Sequence, residues 1–92
     1  TKLPFGEIFF AEYVLKMHSI FQRFAENSDL SLEPGHSYYI APNLDQMKLR
    51  LRYELLPLVR EYLAEGILVS AQEEFLHFFV EALGEYVYQE WL

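Results

Sequence analysis

Cysteine is absent from the 92-residue chain, so neither a disulfide nor a thiolate-ligated zinc can supplement its core. Glycine and proline are sparse, four of each, and no low-complexity tract, internal repeat or interdomain linker is visible. No run of about 18 uncharged apolar residues occurs, and the amino end lacks a basic head followed by an apolar stretch. The sequence therefore predicts neither a membrane span nor a signal peptide and points to a soluble, cytoplasmic protein. Basic side chains stop at Arg60: residues 1–60 hold all seven of them together with seven of the fourteen carboxylates, so the net charge of −7 resides in residues 61–92. Such an acidic segment repels phosphate backbones, and direct nucleic-acid binding is not expected from it. A phosphate-cradling Gly-rich loop with lysine, a Gly-x-Ser-x-Gly elbow and a His-Glu-x-x-His pair are all missing. Catalysis by this chain alone is not expected. An opening Thr1 without methionine fits a piece of a larger protein, and amino-terminal processing produces the same start.

What is present is apolar and aromatic: 52% hydrophobic and 17% aromatic residues, enough for a core in one small domain. Residues 5–26 read as a first helix, because Phe10, Tyr13, Val14, Met17, Ile20, Phe21 and Phe24 recur at steps of three and four. Ile8, Phe9 and Leu15 widen that stripe, so more than one side of the helix should be covered. Residues 44–64 alternate over Met47–Tyr53 like a strand, but Met, Leu, Lys and Arg favour helix and no β-branched residue occurs between 44 and 58. A helix is predicted, opened by Asn43 with Gln46 and kinked by Pro57, whose ring opposes the Tyr53 carbonyl. Gly66 should stop it. Ser70-Ala71-Gln72-Glu73 reads as a capping box for a last helix running to about Glu90, in which Gly84 marks either close packing or a slight break. Tyr38-Tyr39-Ile40 and Ile67-Leu68-Val69 are short β-prone runs that can pair. The expected fold is mainly α: three principal helices, a kinked middle one, and at most a two-strand accessory pairing.

The most unusual local sequence is Pro34-Gly35-His36-Ser37-Tyr38-Tyr39, with Leu55-Leu56-Pro57-Leu58-Val59-Arg60-Glu61-Tyr62 following it. Glycine frees the backbone, His36 and Ser37 offer donors and acceptors, and two tyrosines add apolar bodies with polar tips. Gly-His-Ser-Tyr-Tyr followed by Glu-Leu-Leu-Pro-Leu-Val-Arg-Glu-Tyr resembles the C-terminal region of McrB-type AAA+ nucleotide triphosphatases. There a Gly-His-Ser-Tyr-Phe turn precedes a helix with a Glu-Ile-Ile-Pro-Leu-Leu-Glu-Glu-Tyr pattern. The likeness spans roughly residues 8–66. It departs at Tyr39, where the family has Phe, and at Met17-His18, where relatives often show Leu-Asn.

The resemblance implies the helical lid that follows a nucleotide-binding AAA+ core in the same chain. It further implies ATP or GTP with Mg bound by the parent protein, neighbouring subunits of a homo-oligomeric ring, and a McrC-like nuclease as a further partner. Gly35, His36, Ser37, Tyr38 and Tyr39 become candidates for facing the nucleotide or the adjoining subunit. Lids of this class often turn an arginine toward the phosphates, which makes Arg50, Arg52 and Arg60 candidates too.

Each feature also has a plainer reading. The loop can simply hold a turn between helices. Lys48, Arg50 and Arg52 can pair with Asp45, Glu54 and the acidic last helix. His18 reads as a hydrogen-bonded structural histidine. Glu73, His77 and Glu81 share a face, and Glu74 with His77 matches a Glu-x-x-His spacing, yet a metal site needs a second such motif that the sequence lacks. The competing function is a free-standing helical adaptor, binding other proteins through the tyrosine-rich loop or the first helix.

Overall fold

The computed structural model describes residues 3–26 and 29–91. The amino end is where it departs most from the predicted helix 5–26. Pro4–Gly6 forms a 3₁₀ turn in which Phe5 (φ 68°) and Gly6 (φ 77°) are both left-handed, so no α-helix can run through it. Ile8–Phe9 (β1) is extended and pairs antiparallel with Ile40–Ala41 (β2), Ile8 opposite Ala41 and Phe9 opposite Ile40. Helix α1 begins only at Ala11 and ends at Phe24.

The two-strand pairing therefore exists with a different partner from the expected one. Ile67-Leu68-Val69 does not join it: Leu68 is left-handed (φ 56°) and Val69–Ala71 is a 3₁₀ turn. Tyr38 and Tyr39 are not in the strand either, since His36–Tyr39 is a 3₁₀ turn that delivers the chain to Ile40.

The middle helix, 44–64, is kinked and has three parts. α2 (Leu44–Arg50) starts at Asn43, whose Oδ1 accepts a hydrogen bond from the Gln46 backbone N–H at 2.9 Å. A π-helical turn (Leu51–Leu55) follows, and then α3 (Leu56–Ala64). Pro57 supplies the reason for the wide turn. It has no N–H to give to Tyr53, and its ring would strike that carbonyl in a regular helix. Widening lets the Leu56 N–H reach back five residues to the Leu51 carbonyl instead. At the far end Gly66 (φ 81°) closes the helix in a Schellman motif: its N–H bonds the Leu63 carbonyl, and Ile67 N–H bonds that of Tyr62.

Helix α4 is Gln72–Leu83, so the last helix is shorter than predicted. Ser70 does not cap it, because Ser70 is taken up in the 3₁₀ turn and Ala71 occupies the N-cap. Gly84 breaks the helix outright, and a separate short α5 (Val87–Glu90) follows.

Apolar faces of α1, the middle helix and α4 meet in one core. Met17, Phe21, Met47, Leu51, Leu55, Val59, Phe75, Phe79 and Val87 are fully buried there. Each such side chain stabilises the fold by about 1.5–3 kcal/mol through burial. Aromatic edges add direction: Phe21 meets Phe75 edge-on at 6.0 Å and Phe78 meets Phe79 at 5.0 Å. Glu73, Glu74 and Glu81 lie on α4, while the middle helix carries Lys48, Arg52 and Arg60 beside Asp45, Glu54 and Glu61. No helix among the described residues is long and apolar enough to cross a membrane.

Candidate functional site

The 3₁₀ turn His36–Tyr39 is held from both sides. Before it, the Tyr62 hydroxyl at the end of α3 donates to the Leu32 carbonyl at 2.8 Å, and Pro34 is buried. After it, Arg50 Nη1 donates to the Ile40 carbonyl at 2.8 Å, while Arg50 Nε reaches Glu54 Oε2 at 2.8 Å. Tyr62, in the second of the two segments that suggest a function, is thus fastened to the approach of the first, thirty residues back at Leu32.

Within the turn the side chains divide. Gly35 has ordinary angles (φ −72°) and open space around it, so the backbone does not need glycine's freedom there. His36 and Ser37 are exposed, the His36 ring lying 5.3 Å from that of Phe9. Tyr38 is half-buried. Tyr39 turns inward and is 1% exposed, so its ring belongs to the core and cannot anchor a neighbouring subunit. Its hydroxyl is buried with no hydrogen-bond partner among the described residues. Burial, reinforced by Glu33 and Tyr38, pushes the Tyr39 phenol far above the usual tyrosine range. Tyr62 is raised as well, by burial first and then by Tyr38 and Glu61.

The candidate arginines do not share one site. Arg50 lines a shallow groove of about 440 Å³ with Leu3, Phe5, Glu7, Ser37 and Ile40. Arg52 and Arg60 line a second groove of similar size with Tyr53, Leu56, Pro57 and Glu90. Helical geometry explains the division: residues two apart point about 200° from one another. Arg52 is held by Glu90 (Nη2 to Oε1, 3.1 Å) and lies over the Tyr86 ring at 4.7 Å and the Tyr53 ring at 5.3 Å. The pairing of this cluster with Glu54 and with the acidic C-terminal region is therefore present. Arg60 is exposed and carries no ion pair among the described residues.

Outside these grooves, His18 Nδ1 sits 3.0 Å from Glu33 Oε1 and ties α1 to the approach of the turn. Lys16 on α1 pairs with Glu81 on α4 at 3.5 Å. Among the described residues no group of three or more His, Asp or Glu side chains could hold a metal ion.

Sequence reasoning missed Phe5, Glu33 and the Leu32 carbonyl. Pro4-Phe5-Gly6 did carry a signal, since proline and glycine around one residue mark a turn. The other two carry none, because their roles depend on partners far along the chain. Comparison with protein-family models, curated proteins and solved structures finds no match for this chain.

Proposed function

We propose that the chain is the lid of a McrB-like AAA+ nucleotide triphosphatase, closing over ATP or GTP with Mg held by the core of the same cytoplasmic protein. The observation that supports this most is the bond from Tyr62 to the Leu32 carbonyl. It ties Tyr62, at the end of the Leu55–Tyr62 segment, to the chain three residues ahead of Gly35–Tyr39, so the two segments that carry the resemblance lie in one unit. In that unit His36 and Ser37 are left facing outward, as groups that meet a nucleotide or an adjoining ring subunit must be.

Two positions of such a lid, biased by bound triphosphate or diphosphate, would convert hydrolysis into movement between subunits. Of the three arginines, Arg60 is the best candidate for reaching a phosphate, because it is exposed and uncommitted. Arg50, fixed to Ile40 and Glu54, acts as a brace for the turn. A McrC-like nuclease is the corresponding further partner.

The test begins with the coding frame upstream of Thr1. A Gly-x-x-x-x-Gly-Lys-Ser/Thr motif after a predicted strand, followed by an acidic Walker B strand, is the expected finding. A start codon directly before Thr1 would defeat the proposal. Given the motif, His36→Ala and Arg60→Ala in the whole protein should lower nucleotide turnover by tenfold or more with the melting temperature unchanged. Unchanged turnover in both would remove them from the site.

The adaptor reading keeps one observation of its own. Phe5 is entirely exposed, which suits a direct contact with another protein.

A further inference from the structure

Beyond α4 the chain turns back against that helix as a short strap that meets the middle helix at Arg52, and its attachment is uneven. Gly84 (φ 122°, ψ 173°) adopts a conformation essentially confined to glycine and ends α4 abruptly. From there the strap is fixed at three points. Val87 is fully buried, the Trp91 ring lies 6.3 Å from Phe79, and Arg52 of the π turn grips both Glu90 and the Tyr86 ring.

Two of these points are weak by construction. Trp91 Nε1 is buried with no acceptor among the described residues, so docking the indole leaves a donor unpaired that water would satisfy on release. The Arg52 and Glu90 side chains are 36% and 43% exposed, so dissolved salt reaches their ion pair.

We infer that residues 84–91 form a strap that opens about Gly84 while the rest of the molecule stays folded, with Arg52 as its latch. When it opens, Glu90 leaves the groove that Arg52 shares with Arg60, and both guanidinium groups then face a groove without a carboxylate among its remaining lining residues. The closed strap thus masks a cationic groove. This inference does not depend on the lid assignment.

Trp91 is the only tryptophan and sits on the strap, so it reports opening directly. Acrylamide quenching of its fluorescence would be followed beside far-UV circular dichroism through a urea titration, for the wild-type chain, Arg52→Ala and Glu90→Gln. In the wild type, quenching should rise several-fold at urea concentrations that leave the dichroism native. In about 1 M sodium chloride, where the pair is screened, the rise should begin at lower urea than in dilute buffer. Both variants should show the rise at lower urea than the wild type, still with native dichroism. Quenching and dichroism changing together in every protein would overturn the inference. So would variants with native dichroism that quench like the wild type. If Arg52→Ala does not fold, Glu90→Gln carries the same two outcomes, since it removes only an exposed charge.

Discussion

Tyr39 shows what one residue decides in this molecule. It is adjacent to the half-buried Tyr38 and chemically identical to it, yet its ring is core and its hydroxyl is stranded. In a 3₁₀ turn successive side chains point about 120° apart, so only one of the pair can face inward. The composition of the loop reveals that tyrosines matter there, while the direction of each depends on where β2 pairs. Because an unpaired buried hydroxyl costs about 1–3 kcal/mol, Tyr39→Phe should be neutral or stabilising in urea denaturation, by up to that amount. The same substitution should change the alkaline limb. An unfolded tyrosine ionises near pH 10, whereas Tyr39 in the fold holds its proton to higher pH. Its contribution is therefore complete below about pH 10 and is lost as pH rises toward the folded value. The wild type should lose stability above about pH 10 more steeply than Tyr39→Phe. Equal slopes would mean that the phenol is as accessible in the fold as in the unfolded chain.

Among the elements, those governed by local chemistry are the ones that the sequence makes legible. Asn43 with Gln46 predicts the start of α2, and the cap bond is present; Asn43→Ala should cost about 1 kcal/mol in thermal or urea unfolding. Gly66 predicts the end of α3, and Pro57 predicts the kink in the middle helix. The π turn is the physical form that kink takes, and it is invisible to propensity because its residues are ordinary helix formers. Ser70 and Glu73 mimic a capping box just as Asn43 and Gln46 do, yet the left-handed Leu68 places Ser70 one step outside the cap. Two-residue strands such as β1 and β2 carry too little alternation to be read at all. Their pairing is set by the register of Ile8 against Ala41, across more than thirty intervening positions. The candidate site follows the same rule. The turn as a feature was legible, whereas its fastening by Tyr62 and Arg50 was not.

At the level of the whole molecule, Phe5 is the anomaly. An aromatic side chain stands fully in solvent on a left-handed backbone that disfavours it by about 1–2 kcal/mol, so nothing within the described fold repays its presence. Asparagine tolerates that conformation better. Phe5→Asn should leave the isolated chain equally stable or up to about 1 kcal/mol more so in urea denaturation. A loss of stability would place Phe5 among the packing residues instead.

The molecule is a slab of 38 × 31 × 17 Å whose acidic and basic side chains pair across its surface, Lys16 with Glu81, Arg50 with Glu54 and Arg52 with Glu90. In physiological salt an electric field decays over about 8 Å, a small part of that breadth. A charged body drawing near therefore does not sense an averaged charge of −7. It meets only the charges of the patch it approaches, such as Lys16 beside Glu81 on one part of the surface or Arg52 beside Glu90 on another.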